Sequence, residues 1–401
     1  MDLVSHQPYW LVKNGLVATY PALEQDERCD VLILGAGITG AIFAERLTRE
    51  GFDVVVLDRR DVGQGSTSAS TALLLYEIDA HLVTLRENVG RAAADRAYQL
   101  SVKSIDSLEQ LAKQSKIDCA FRRKRSVYAA SSEDDLPDSR AELEARLEIG
   151  IDVAWLGPRE LREQYSLPYC GAIVSGNSAS CDPYLLGHGL LKAAAARGAR
   201  IYDRTEATEF DEQPGGEVRV PTDRGPTVTA RHVVMATGFE SQQYLREKVV
   251  KFKATYALVT QPLPTTAPWP EDALFWETSR PYLYLRATDD RRLLAGGEDD
   301  ETHSPLKRDA LVEAKAAKIL KRVQSMFPDL RLETEHAWAG TFGETQDGLP
   351  YIGRSPERPY ARFALGFGGN GITFSAMAAD IIADELRGRP NADAAIFRFG
   401  R

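Results

Sequence analysis

The amino-acid sequence predicts an α/β protein with a Rossmann-like domain and a second, α+β domain built on a mixed, largely antiparallel sheet. Three observations lead to this fold class. A complete strand–helix–strand unit lies between Asp30 and Asp58. Short strand-like pieces separated by proline-containing loops run from 250 to 300, a pattern typical of an antiparallel sheet. The length of 401 residues allows two or three domains and a large core.

The strand–helix–strand unit reads DVLILGAGITGAIFAERLTREGFDVVVLD. Val31 to Leu34 has the length and composition of a buried parallel strand. From Ile38 apolar residues recur at helical spacing until Gly51, and a second buried strand runs from Val54 to Leu57. The sequence therefore predicts two strands of one parallel sheet with a helix between them.

The glycine turn in this unit has the pattern of a dinucleotide-binding site. Gly35 allows the tight turn, Gly37 lets the backbone approach a pyrophosphate, and Gly40 lets the helix pack close to the strand. The positive end of the helix would face the phosphates, and Asp58 would accept hydrogen bonds from a ribose. The glycine pattern follows a strand and opens a helix, and Asp58 follows it at the expected spacing along the sequence. The pattern therefore predicts dinucleotide binding.

The charges exclude one class of partner and leave one question open. A net charge of -9 argues against nucleic acid as the main partner. Arg59 and Arg60 follow Asp58 and would suit a ribose 2′-phosphate. Solvated charges at the end of a strand are the favoured interpretation of both arginines.

The cysteine and histidine spacings give no sign of a metal site or a redox dithiol. The cysteines are Cys29, Cys119, Cys170 and Cys181, and the histidines are His6, His81, His188, His232, His303 and His336. We expect reduced thiols in a cytoplasmic protein. Residues 1–28 are predicted to form an irregular leader without a secretory signal, and no apolar run approaches the length of a membrane span.

A loop of small and hydroxylated residues leaves the second strand where the dinucleotide should lie. It runs from Gly63 to Thr71 and can bring backbone amides and hydroxyls to phosphates, whereas the alternative is a flexible linker. A third buried strand, Val233 to Ala236, ends at Thr237-Gly238, where a glycine permits close approach to a ligand.

The remaining elements follow along the chain. Helices are predicted at 92–112, 134–148, 182–198 and 307–327, with 134–148 solvated and 307–327 amphipathic. Further strands are predicted at 126–130, 153–156, 199–202, 206–208, 253–260, 282–286, 293–296 and 363–365, and a glycine-rich turn at 366–371 opens a last helix. We assign the nucleotide-binding domain to 29–90, 165–248 and 336–401, and the substrate or cap domain to 91–164 and 249–335.

Five motifs spread over residues 28 to 389 carry a family resemblance. They are the first unit with Asp58, the serine-rich loop, the strand end at Ala236–Gly238, Thr345–Gly353 and Gly368–Thr373. In this order they resemble the D-amino-acid oxidase superfamily of FAD enzymes. The resemblance is specific for the flavin fold and much less specific for the substrate.

The resemblance implies a place for each motif along FAD. The pyrophosphate would lie on Gly35, Ala36, Gly37, Ile38, Thr39 and Gly40, and the adenosine on Asp58, Arg59 and Ala207. Thr237 and Gly238 would lie along the nucleotide, and the phosphates and flavin edge would meet Gly65, Ser66, Thr67, Ser68, Ser70, Thr71 and Ala72. The flavin would contact Gly340 and, on its pyrimidine side, Gly369, Asn370, Gly371, Ile372 and Thr373.

A substrate-binding strand is also implied. Strand alternation places Tyr282, Tyr284 and Arg286 on one face, and the segment is similar to a strand on which members of the family present an arginine to a substrate carboxylate. The alternative is an exposed arginine paired with Asp289 or Asp290. The predicted substrate contacts are Tyr256, Tyr282, Tyr284 and Arg286.

Three departures from the family pattern bear on chemistry. Phe342 stands where some members have a second carboxylate-binding arginine, so a simple free amino acid is in doubt. Gly340 stands where some members link the flavin through a cysteine, so FAD should be bound non-covalently. The strand Leu293–Gly297 lacks a lysine that helps oxygen react in some members, so O2 and another electron acceptor both remain open.

The predicted function is FAD-dependent oxidation of a C–N bond in an amino acid or a primary or secondary amine. Hydride transfer to flavin N5 would leave an imine that water hydrolyses. One alternative is an FAD-dependent 2-hydroxy-acid or polyol dehydrogenase. Another is a flavin-binding subunit or a redox-responsive partner protein.

Overall fold

Two β-sheets organise the chain. The computed structural model describes residues 2–5, 7–264, 273–302 and 304–401. His6 and His303, two of the histidines considered above, lie outside the described residues. The strands are β1 (Glu27–Leu34), β2 (Val54–Leu57), β3 (Leu73–Leu74), β4 (Arg122–Ala130), β5 (Val153–Leu156), β6 (Gly171–Ser180), β7 (Arg200–Tyr202), β8 (Asp211–Glu212), β9 (Val218–Pro221), β10 (Thr227–Met235), β11 (Lys251–Thr260), β12 (Ala273–Glu277), β13 (Leu283–Ala287), β14 (Leu293–Asp300), β15 (Thr334–Glu344), β16 (Tyr351–Ser355) and β17 (Arg358–Leu365). The α-helices are α1 (Tyr9–Asn14), α2 (Ile38–Arg49), α3 (Ser66–Ala69), α4 (Leu82–Val89), α5 (Arg91–Gln114), α6 (Leu136–Glu148), α7 (Pro158–Tyr165), α8 (Pro183–Ala196), α9 (Pro305–Ala310), α10 (Val312–Met326) and α11 (Gly371–Leu386), and 3-10 turns lie at Glu133–Asp135, Gly238–Tyr244 and Ala392–Ile396.

The first sheet, sheet I, has the strand order β16-β17-β10-β1-β2-β7, with β9 paired to β10 and β8 to β9. At its centre β1 runs parallel to β10 and to β2. Val31 and Ile33 pack on the side of α2 and α11, whereas Leu32 and Leu34 pack into a cluster on the other side. Burial on both faces explains why these strands are continuous apolar runs. The predicted strand–helix–strand unit is confirmed.

The second sheet, sheet II, has the order β15-β11-β14-β13-β12-β4-β6-β3, with β5 paired to β6. Its strands pair antiparallel except for the parallel pair β12–β4, so the predicted mixed, largely antiparallel sheet is confirmed. One face packs against α10 through a cluster that includes Leu258, Leu285 and Ile319. The opposite face borders the cavity described below.

The strand pairing corrects the assigned domain boundaries at several places. β3, β6 and most of β15 fall within the ranges given to the nucleotide-binding domain, but all three strands belong to sheet II. Conversely, α5 packs against α11 and shares the core of sheet I, although it was assigned to the cap. Apolar strand and helix patterns identify an element but carry no information on the sheet that it joins.

Three predicted elements differ from the structure. The predicted helix 307–327 is two helices. The α-helical hydrogen-bond pattern is interrupted at Leu311, whose N–H donates to the Arg308 carbonyl three residues back. Helix 134–148 is not merely solvated, because Glu142 and Arg146 on α6 are fully buried. Residues 206–208 form no strand, only a single bridge between Ala207 and Thr222. No helix in the described ranges is both long and apolar enough to cross a bilayer.

The described part of the predicted irregular leader is irregular from 15 to 26, but it also contains α1 and a segment paired to sheet II. Its backbone extends sheet II, since Ser5 N donates to the Ala339 carbonyl at 2.9 Å and Thr341 N donates to the Leu3 carbonyl at 2.8 Å. Tyr9 and Trp10 on α1 are buried. The segment therefore closes one side of the space between the sheets.

A buried charge network ties α6 to the start of α4. Arg146 is 0% exposed, and its Nε donates to Glu142 Oε1 at 2.8 Å. The Glu142 carboxylate also accepts hydrogen bonds from the backbone N–H groups of Leu82 (2.9 Å) and Val83 (3.1 Å) at the first turn of α4. Desolvation is the largest effect and opposes the charged form, but the Arg146 guanidinium, the two backbone donors and His81 together lower the pKa of Glu142.

Replacing Arg146 by methionine should lower the free energy of unfolding by about 3–5 kcal/mol, because Glu142 would be left buried without its cation. Urea unfolding followed by far-ultraviolet circular dichroism measures the change. Arg91→Met is the control, since the Arg91 side chain is 65% exposed and its loss should cost no more than about 0.5 kcal/mol. Equal destabilisation by the two substitutions would contradict the role given to the network.

Candidate functional site

A cavity of about 300 Å³ lies between the carboxyl ends of the sheet I strands and one face of sheet II. The glycine turn after β1, the serine-rich loop, the segment after β10 and the turn before α11 all contribute to its lining. Four stretches that the family resemblance places along one cofactor therefore meet in one space. Three Asp, Glu, His or Cys side chains placed to hold a metal ion do not occur together within the described ranges.

The glycine turn depends on the absence of side chains. Gly35 has φ +101°, and a Cβ there would lie 2.4 Å from the Ala236 carbonyl oxygen. A Cβ on Gly40 would lie 1.8 Å from the Gly35 carbonyl oxygen. Gly37 lines the cavity at the start of α2, next to Ile38, whose N–H donates to Thr67 Oγ1 at 2.8 Å. The backbone at the start of α2 thus reaches the cavity, because no glycine side chains separate β1, β10 and α2.

Asp58 stands at the end of β2 and holds this turn. Its Oδ2 accepts a hydrogen bond from Ala36 N at 2.7 Å, and its Oδ1 accepts one from Arg60 N at 2.8 Å. Desolvation raises the pKa of Asp58 to about 6, and the two backbone donors act in the opposite direction. Asp58 also lines the cavity.

Arg59 and Arg60 are not solvated charges, so the favoured interpretation of both was wrong. They converge on Glu240, which is 5% exposed and which the sequence analysis missed. Arg60 Nη2 lies 2.8 Å from Glu240 Oε1, and Arg59 Nη2 contacts the same oxygen. Because one buried carboxylate bridges both guanidinium groups, much of the positive charge that a 2′-phosphate would need is already compensated.

The serine-rich loop is a structured wall rather than a flexible linker. Part of it forms α3, and two indole N–H groups fix its backbone: Trp338 Nε1 donates to the Ala69 carbonyl at 2.9 Å, and Trp10 Nε1 donates to the Ser70 carbonyl at 2.6 Å. Ser68 turns away from the cavity and donates to the Gly65 carbonyl at 3.0 Å. The cavity is lined by Gly65, Ser66, Thr67, Ala69, Ser70, Thr71 and Ala72.

The turn before α11 points the start of that helix at the other end of the cavity. The Asn370 side chain does not cap the helix but donates through Nδ2 to the Leu75 and Glu77 carbonyls at 3.3 and 2.8 Å. Thr373 Oγ1 donates to the Leu75 carbonyl at 3.0 Å. The first-turn backbone of α11, at Gly371 to Thr373, therefore lines the cavity with the positive end of the helix dipole.

Strand alternation in sheet II decides which side chains reach the cavity. Tyr282 and Tyr284 line it, with ring centroids 5.8 Å apart, and Thr255 and Gly340 face the same space. Tyr256 lies on the opposite face, packed in the core near α10, with its hydroxyl 3.2 Å from Asp300 Oδ2. The prediction that Tyr256 forms a cavity wall is therefore wrong.

Arg286 does not line the cavity, although it shares a strand face with the two tyrosines. It is 3% exposed, its Nε donates to the Thr71 carbonyl at 2.8 Å, and its Nη2 donates to the Cys181 carbonyl at 2.9 Å. This corrects both interpretations of Arg286, as a partner of a substrate carboxylate and as an exposed residue paired with Asp289 or Asp290. Its guanidinium instead fixes the end of the serine-rich loop to sheet II.

Other lining residues had no local signal in the sequence. Leu3 and Val4 arrive through the backbone pairing of the N-terminal segment, with Val4 bridged to Gly340. Trp276 comes from β12, and Asp79 follows the serine-rich loop. The predicted residues Ala207, Thr237 and Gly238 line the dinucleotide end, whereas Ala36 and Gly40 support the turn from outside the cavity.

Comparisons with known proteins agree with this geometry. The family model described as "FAD dependent oxidoreductase" (DAO) matches residues 30–385. The chain is 26% identical to the gamma-glutamylputrescine oxidoreductase of Escherichia coli (strain K12) over 394 residues, covering 95% of this chain and 88% of the relative. It is 27% identical to a glycine oxidase of Geobacillus kaustophilus (strain HTA426) over 376 residues, covering 91% and 94%. The crystal structure of glycine oxidase from Geobacillus kaustophilus superposes with a TM-score of 0.77 at 24% identity, covering 94% of this chain and 99% of the other.

The close contact at Gly40 gives a test of the site. Gly40→Ala places a Cβ against the Gly35 carbonyl, so α2 must shift and the purified protein should retain less than about a tenth of the FAD bound by the wild type. Absorbance at the flavin band, relative to protein, measures retention. Gly176→Ala is the matched control, because its Cβ would meet no atom within 4 Å. Full FAD retention by Gly40→Ala would contradict the packing argument.

Proposed function

The chain belongs to the DAO family of FAD dependent oxidoreductases, and on this premise we propose that it oxidises a C–N bond of an amine or an amino acid. The substrate would lose a hydride from the carbon beside nitrogen to N5 of FAD, and the resulting imine would be hydrolysed by water. O2 or another acceptor would then remove the electrons.

The observation that carries the proposal is the continuity of the cavity. It runs from the glycine turn and Asp58 at one end to the start of α11 and the tyrosines of sheet II at the other. A dinucleotide bound at the glycine turn could therefore place its flavin ring at the other end of the same cavity, beside the tyrosines of sheet II.

The residues present fit FAD as the cofactor. Gly37, Ile38 and Thr39 at the start of α2 line the cavity where a pyrophosphate would lie. The Ser66 Oγ on the serine-rich loop, which also lines the cavity, is buried without a hydrogen-bond partner. Asp58 and Ala207 would hold the adenosine, Thr237 and Gly238 would lie along the nucleotide, and the serine-rich loop would cover the phosphates. None of the four cysteines lines the cavity, in keeping with non-covalent binding.

When bound, FAD supplies the hydride acceptor, and the chain would position the substrate and influence the reduction potential of the flavin. The first turn of α11 would place its positive end against the pyrimidine side of the flavin, where negative charge builds up on reduction. The Tyr282 and Tyr284 rings would confine the substrate on the sheet II side. A neutral amine held there needs little further assistance, because orientation of its C–H bond supplies much of the rate.

Anaerobic titration of the purified protein with amines, N-methyl amino acids and hydroxy acids tests the proposal. A yellow protein that releases FAD on denaturation should be bleached by at least one amine or amino acid, because the hydride comes from the carbon beside nitrogen. Return of the colour in air then measures how fast O2 accepts the electrons.

Two results would contradict the proposed reaction. Bleaching by hydroxy acids alone would favour oxidation of a C–O bond. If no compound bleached the flavin while a second protein co-purified in fixed ratio, a role as a flavin-binding subunit would replace the proposal.

A further inference from the structure

The end of the cavity near α11 carries negative charge. We call it the acidic end and define it by Glu77, Asp79, Trp276, Tyr282 and Tyr284, all of which line the cavity. The basic side chains among the described lining residues are Arg59 and Arg60, and both lie at the dinucleotide end against Glu240. A carboxylate entering the acidic end would therefore meet no lysine, arginine or histidine in the described lining.

Asp79 is held in place with one oxygen engaged by the backbone. Its Oδ2 accepts a hydrogen bond from Gly369 N at 2.7 Å, and a Cβ on Gly368 would lie 2.5 Å from that oxygen. Asp79 is an exposed residue, and it lines the cavity. Desolvation by the protein around the carboxyl group still raises the pKa of Asp79, and a cation bound beside it would offset that cost.

Two further acceptors at this end have no donor, which is an independent sign of a ligand. Glu77 Oε2 and Asn370 Oδ1 are buried without a hydrogen-bond partner, on cavity-lining residues that are 2% and 6% exposed. Buried acceptors of this kind are costly unless a donor satisfies them. A ligand with N–H donors would satisfy these two acceptors, and Trp276 Nε1 at the same end is likewise buried without a hydrogen-bond partner.

The aromatic walls suit the same ligand. Trp276 stacks on Tyr128 with ring centroids 4.0 Å apart, which fixes its indole at the cavity wall. Tyr284 is the cross-strand neighbour of Trp276 on the same face of sheet II, and the Tyr282 ring lies beside Tyr284. Aromatic faces attract alkylammonium groups, and the attraction grows when water is excluded.

The cations packed around the acidic end have other partners. Arg146 lies behind the wall between Glu142 and Glu77, and Lys253 pairs with Glu344 at 2.6 Å. Arg280 is exposed, donates to the Thr278 and Ser279 carbonyls and lies 5.3 Å from the Tyr282 ring centroid. Arg280 is thus the rival partner, and it would serve a substrate that carried a carboxylate.

We propose that Asp79 and the acidic end bind a positively charged nitrogen of the substrate, so that the preferred substrate class is an alkylamine with a second cationic group rather than an amino acid held by its carboxylate. The inference rests on the proposed function, since it concerns the same cavity. Because no carboxylate has to be bound, the inference accounts for a phenylalanine at position 342 in place of an arginine. It also accounts for the burial of Arg286 outside the cavity lining.

Calorimetric titration of the FAD-loaded protein with three compounds of equal chain length tests the inference. They are 1,4-diaminobutane, 1-aminobutane and 4-aminobutanoate, which differ in the terminal group. The diamine should bind most tightly, and Asp79→Asn should weaken its binding about 10- to 100-fold, as expected for a hydrogen bond to a charged group. The asparagine can still accept from Gly369 N, so FAD content should not change. Asp118→Asn, an exposed aspartate outside the cavity lining, should bind all three like the wild type.

Two outcomes overturn the inference. One is equal affinity for the diamine and 1-aminobutane. The other is tighter binding of 4-aminobutanoate that is lost in Arg280→Gln but not in Asp79→Asn. If the diamine binds through Asp79 but does not bleach the flavin, the inference holds and the proposed oxidation fails, so the two failures are distinguishable.

Discussion

The contact between Gly40 on α2 and the Gly35 carbonyl at the end of β1 is the constraint on which the site depends. It allows the helix, β1 and the Ala236 end of β10 to close on one another without side chains between them. The backbone at the start of α2 and the Asp58 carboxylate then reach the same space. Buried apolar strands on either side make this arrangement rigid, because both faces of β1 are packed.

Sheet II supplies the second wall of the cavity. Its strand pairing brings Thr255, Tyr284 and Gly340 from separate stretches of the chain to one face. The serine-rich loop is fixed to this sheet by Arg286 and by the indole of Trp338. The N-terminal segment then adds Leu3 and Val4 along the edge of β15. The end of the cavity that sheet II lines is thus assembled almost entirely by contacts between residues distant in sequence.

The sequence predicted the parts of the site whose geometry is local. The turn from Gly35 to Gly40 and its partner Asp58 lie within one strand–helix–strand unit, so spacing alone indicated their roles. Arg286 was misplaced because alternation gives the face of a strand but not the position along it at which the cavity ends. Tyr256 was assigned to the wrong face of its strand, because its neighbour Thr255 is the residue that faces the cavity. Asp79 and Glu240 reach the site only through tertiary packing, which leaves no periodic signal.

The central claim is that this one cavity holds FAD, and equilibrium titration of the cofactor-free protein with FAD tests it most directly. Visible absorbance and protein fluorescence should saturate at one FAD per chain, and neither NAD nor NADP should displace it. Saturation by a nicotinamide dinucleotide with no uptake of FAD would contradict the account, because the unit from Asp30 to Asp58 would then serve a different cofactor.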